Sequence, residues 1–131
     1  MPKLTAARIL AVVAVALPLA AVGCQDDGPP VKLSAQGKLG ATVARTNNCS
    51  ACHSSNGDEL TGPTWKGLYG KKITLSTGKR ITVDDAYIER SVREPNAQRE
   101  QDATGQMPTF DEDRISDEQL RQLIAYIKDL R

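Results

Sequence analysis

"NNCSACHSSNG", residues 47–57, places two cysteines three apart with a histidine directly after the second. Cys49-Ser50-Ala51-Cys52-His53 is the spacing of a covalent haem attachment site, and it overlaps two other chemistries, a redox dithiol and part of a zinc site. Each reading makes a different demand on the rest of the chain.

Cysteines at i and i+3 in one helical turn face the same side, where each can form a thioether with a haem vinyl group. His53 then stands beside them to reach the iron from one face. The chain has one histidine, and besides the initiator its one methionine is Met107. With haem on His53, the sixth ligand is therefore Met107, water or a weaker donor such as lysine. Met107 lies in "GQMPTF", residues 105–110. Pro108 keeps the residue before it extended, which suits a strap laid across a flat ligand; the ordinary alternative is a methionine filling a gap in the core. A structural zinc site needs four ligands, and no further Cys or His remains beyond Cys49, Cys52 and His53 once Cys24 is set aside as below. A thioredoxin-like dithiol needs a strand-to-helix setting, and no parallel-sheet pattern precedes Cys49. A plain Cys49–Cys52 disulfide would close a tiny loop and contribute little.

The chain begins with an export pattern. Lys3 and Arg8 precede "ILAVVAVALPLAAVG", residues 9–23, which is apolar or small throughout. The uncharged run from Ile9 to Cys24 is 16 residues and contains Pro18, short of the roughly 20 of a membrane-spanning helix. "AAVGC" resembles the end of a bacterial lipoprotein signal, which implies cleavage after residue 23 and a lipid on Cys24; Ala21 departs from the leucine that pattern favours. Cys24 is also the odd cysteine once Cys49 and Cys52 share a task. Loss of residues 1–23 removes two bases and no acid from 17 Lys+Arg and 16 Asp+Glu. Such a near-neutral chain carries no electrostatic sign of a nucleic-acid partner. One Trp, three Tyr and one Phe make a thin core for its size, a shortage that a large apolar cofactor relieves.

Three segments are expected: residues 1–23 as signal, 24–34 as lipidated N-terminus and tether with Pro29-Pro30, and 35–131 as one domain. In the domain, Ser34 caps a helix to about Asn48 that shows Leu39 and Val43 on one face and is weakened by Gly37 and Gly40. Ile73/Leu75 and Ile81/Val83 alternate around Ser76-Thr77-Gly78-Lys79 as a short hairpin. Asp84 caps a helix that Pro95 stops, and a long loop covers 95–115. Ser116 and Gln119 form a capping box for the last helix, with Leu120, Leu123, Ile124, Ile127 and Leu130 at helical spacing. Three helices cannot hold two long loops unless those loops wrap something.

CSACH, "GPTWKGLYG" at 62–70, "MP" at 107–108 and a terminal "LIAYIKDL" helix together resemble a class I c-type cytochrome over residues 35–131. Within that family the chain is similar to the cytochrome c domain fused to subunit II of some bacterial terminal oxidases. The resemblance implies an all-α cytochrome c fold, three main helices around one covalent haem c, with the hairpin as an insertion. It implies His53 and Met107 as axial ligands, the Pro63 carbonyl as hydrogen-bond acceptor for His53, and polar contacts from Trp65 and Tyr69 to a haem propionate. Two departures stand out. The first helix has no aromatic to meet Tyr126, leaving Gly37, Gly40 and Val43 as candidates, and the cysteines and histidines of a dinuclear copper site are missing.

The function expected is single-electron transfer by a lipid-anchored monohaem carrier, exported to the periplasmic side of a bacterial membrane and serving redox protein partners. It is expected to be a monomer unless it belongs to a complex. The alternatives are a haem-bearing subunit of a larger respiratory complex, and a peroxide- or gas-reactive haem protein with a labile Met ligand. Lys66, Lys71, Lys72, Lys79 and Arg80 fall in a stretch free of acid, and residues 111–118 are largely acidic, an asymmetry able to orient a charged partner or simply to solvate a face.

Overall fold

The computed structural model describes residues 31–131, so the export segment, Cys24 and the tether as far as residue 30 lie outside the described residues. The elements are α1 (Ala35–Thr46), β1 (Lys72–Thr74), β2 (Arg80–Thr82), α2 (Asp85–Arg93) and α3 (Asp117–Asp129), with a single 3-10 turn at Cys49–Ala51. All three helices start where a side chain accepts a free amide of the first turn: Ser34 from Gly37, Asp84 from Tyr87, and Ser116 from Gln119. Gln119 returns the bond to Ser116, completing the capping box. Among the described residues no helix is long and apolar enough to cross a membrane.

The expected hairpin forms, with Lys72 opposite Thr82, Ile73 opposite Ile81 and Thr74 opposite Arg80. Ile73, Leu75 and Val83 are buried, so one face of this two-stranded ribbon joins the core and the other carries charge. The loop after α2 adds a bridge between Leu75 and Glu100, which pairs part of β1's free edge.

The principal helix packing is between α1 and α3. Leu39, expected on the inner face of α1, is half exposed, and the buried residues are Gly37, Gly40, Val43 and Ala44. The reason lies at the crossing. A Cβ on Gly40 would run into the Gln122 carbonyl and stand 2.8 Å from the Tyr126 Cβ, so the two backbones touch where only glycine fits. The glycines that weaken α1 as a helix thus let it pack, and Gly40 is the α1 residue that Tyr126 meets. Ser34 also donates from its amide (2.8 Å) and hydroxyl (2.7 Å) to Asp129, so the start of α1 is fastened to the end of α3.

Lys128 on α3 meets the Asp85 carboxylate on α2 at 2.7 Å, and the Tyr69 hydroxyl donates to the same group at 2.7 Å. The Lys128 ammonium and then the Tyr69 hydroxyl hold the Asp85 carboxyl below the usual carboxylate range. That contribution is full above the ordinary pKa of about 3.9 and fades as pH falls through the lower folded value. Because the Asp85 side chain is 55 % exposed, solvent screening keeps it under about 1 kcal/mol. Asp85→Asn is accordingly expected to be less stable than the parent at pH 7, with the difference vanishing below pH 4, by chemical denaturation across pH. Gly40→Ala is expected to lose about 1–3 kcal/mol at the crossing, outweighing a helix-propensity gain of about 1 kcal/mol, as read by a denaturation midpoint.

Candidate functional site

The attachment motif is shaped by its backbone. Asn48 takes a left-handed conformation (φ 55°), which asparagine tolerates better than most residues, and turns the chain out of α1. The Cys49 carbonyl then accepts both the Cys52 amide (3.1 Å) and the His53 amide (3.0 Å). That tight turn brings Cys49, Cys52 and His53 to one wall. No disulfide joins the two cysteines, Cys49 is buried and Cys52 exposed, and burial pushes the Cys49 thiol up.

The loop after the motif folds back on it. The Gly62 amide donates to the Cys52 carbonyl (2.8 Å) and the Trp65 amide to the Ser54 carbonyl (2.8 Å), while the buried Ser54 hydroxyl bonds Asp58 and Thr64. This places the Pro63 carbonyl 2.8 Å from His53 Nδ1, where Nδ1–H donates. The tautomer is thereby set, and Nε2 keeps its lone pair for a ligand. Burial lowers the His53 pKa, partly offset by the Pro63 bond, so the ring is neutral at pH 7. The Trp65 ring lies 5.1 Å from the imidazole at 15° and meets Tyr126 edge-on at 5.9 Å. Gly62 also lies against the ring, and its added Cβ would stand 2.6–3.0 Å from three His53 ring atoms.

Cys49, Cys52 and His53 open on a mainly apolar cavity of ≈ 300 Å³, and Pro63, Trp65 and Met107 also line it. Leu68, Ile88, Val92, Phe110, Leu123 and Ile127 supply apolar wall from all parts of the domain. The residues therefore fit an iron porphyrin: two thiols for its vinyl groups, a neutral imidazole with one nitrogen free, a thioether sulfur, and a mainly apolar surface for the ring. Tyr69 stands apart. It does not line the cavity; its hydroxyl is committed to Asp85, and Lys128 and Arg131 sit 4.8 and 5.3 Å from its ring. Trp65 faces the histidine with a buried ring, so its visible role is apolar stacking.

Sequence reasoning passed over Gly62 and Asn48, whose roles come from close approach and backbone sign. It also missed Arg93 and Arg99, which bind backbone carbonyls around Met107. Among the described residues no group of three or more His, Cys, Asp and Glu is arranged to hold a bare metal ion.

The cytochrome c family model matches residues 37–131, and the chain belongs to that family. No curated protein matches it at a significant level. Family membership implies covalent haem c and haem-based electron transfer, and the helical domain with its small hairpin agrees with the cytochrome c fold.

Because a Cβ on residue 62 would stand 2.6–3.0 Å from three His53 ring atoms, Gly62→Ala is expected to displace the ring from Pro63. A loss of about 1–3 kcal/mol in folding stability should accompany it, with a smaller low-spin fraction in the absorption spectrum of the haem-loaded protein.

Proposed function

We propose that this member of the cytochrome c family is a monohaem electron carrier, exported and held at the periplasmic side of a bacterial membrane by a lipid on Cys24. The observation that carries the reading is convergence: the single histidine, both domain cysteines and Met107 all line one apolar cavity. Haem c bound there would supply one-electron redox chemistry, with Cys49 and Cys52 as the residues to hold it covalently and His53 and Met107 as those to ligate its iron.

The chain's own contributions follow from the geometry. Pro63 holds Nδ1–H, so the nitrogen presented to the metal is always Nε2. Trp65 and Gly62 confine the ring, limiting how far it moves when the charge at the site changes. Apolar walls exclude water and disfavour added charge, and a thioether ligand favours the reduced state; both raise the reduction potential. A site filled by both an imidazole and a thioether has no open position, which supports electron transfer over peroxide or gas chemistry. Redox proteins of unidentified type are the partners, and the exposed Lys66, Lys71, Lys72, Lys79 and Arg80 lie on one acid-free stretch that supports electrostatic orientation of them.

A pyridine haemochrome spectrum with intact mass on exported protein tests haem, thioether linkage and acylation together; absence of haem overturns the proposal. Met107→Ala is expected to lower the reduction potential and make the ferrous spectrum sensitive to carbon monoxide, whereas the parent spectrum stays unchanged under the gas.

A further inference from the structure

The segment that carries Met107 is irregular from Pro95 to Ile115, yet it is bound at defined points on both sides of the methionine. On the far side, Arg93 of α2 donates Nη1–H to the Phe110 carbonyl (2.9 Å) and to the Ile115 carbonyl (2.7 Å), and pairs with Asp117 at 2.8 Å. The Phe110 amide donates to Val92, and its ring is buried. That end belongs to the core.

On the near side the fastening is different. Arg99 donates through Nη2 to the Ala103 carbonyl (3.1 Å) and the Gly105 carbonyl (2.9 Å), two positions before Met107. Its own backbone is held by the hairpin: the Arg99 carbonyl accepts from Ser76 (2.9 Å), Gln101 donates to Thr74 (2.9 Å), and Glu100 bridges Leu75. Gly105 in turn presses on the loop of the other proposed ligand, since its added Cβ would stand 2.5 Å from Thr61 Cγ2. The chain next to Met107 thus hangs on one guanidinium that the hairpin keeps in place. Ala103, Gly105 and Arg99 are only partly buried, so little apolar packing supplements these bonds.

We infer that Arg99, braced by the β1–β2 hairpin, is a positioning residue that keeps Met107 engaged, so that local opening of the Met107 side is governed by this clamp and not by global unfolding. The inference rests on the reading of Met107 as a ligand. Two hydrogen bonds from a charged donor are lost together when Arg99 is removed, and the Ala103 and Gly105 carbonyls then have to find water. A guanidinium forks to two acceptors where an ammonium acts as a point donor, so Arg99→Lys is expected to fall between the parent and Arg99→Ala.

The test uses the haem-loaded ferric protein with imidazole as competitor for the methionine position. In Arg99→Ala, imidazole affinity is expected to rise by about tenfold or more, and the sulfur-to-iron charge-transfer absorbance is expected to vanish at lower denaturant than the far-ultraviolet helical signal. Amide exchange in residues 101–106 should accelerate, while exchange in α3 should not. Arg45→Ala, which removes the same charge from an exposed position on α1, should match the parent in imidazole affinity and in exchange of residues 101–106. If Arg99→Ala folds and both imidazole affinity and exchange equal the parent's, the clamp is overturned while Met107 remains a ligand. If Met107→Ala leaves the parent's charge-transfer absorbance in place, the ligand reading fails and the clamp with it. Should Arg99→Ala not fold, Arg99→Lys decides: a loss of helical signal in step with the charge-transfer absorbance overturns the inference.

Discussion

The site depends on the confinement of one imidazole. His53 has Gly62 against one side, Trp65 stacked on its plane, and Nδ1 committed to Pro63. Each contact comes from the single loop that folds back from Ser54 to Trp65, and that loop is ordered by its own bonds to the Cys52 and Ser54 carbonyls. An imidazole so placed offers a metal one nitrogen in one orientation. The covalent haem c that the family implies gives the cysteine pair on the same turn its task beside that imidazole.

The helices were legible in the sequence because their signals are local. Ser34, Asp84 and the Ser116/Gln119 pair mark their starts by satisfying amides within three residues, and alternation around Ser76–Lys79 marks the hairpin in the same way. The inner face of α1 was not legible. Periodicity points to Leu39 and Val43, but the decisive quantity is how near α3 comes, and at the crossing that distance excludes any side chain on residue 40. A helix that packs through glycine looks weak in sequence and is firmly placed in the fold.

For the site, the gathering of the Cys49–His53 motif and Met107 on one cavity and the Pro63 contact could be anticipated, because each rests on residue chemistry or on a family resemblance. Tyr69 illustrates where resemblance ends. The tyrosine sits where expected in the chain, but Asp85 and Lys128 draw its hydroxyl to a neighbouring surface network. The arginines around the methionine were invisible for another reason. Carbonyls of irregular chain need donors, and no sequence pattern tells which distant side chain will supply them.

The fastening of Ser34 to Asp129 bears on how the domain carries a load applied at its N-terminal end. Tension arriving along the N-terminal segment reaches α1 at the point where α3 ends, and the two helices run in opposite directions from there, with Gly40 meeting Gln122 and Tyr126 further along. Such a pull is thus shared with the last helix at Ser34, before it travels down α1 to the cysteine turn. Force applied at that end is absorbed at the pole formed by the two helix ends, and the geometry around the imidazole is shielded from it.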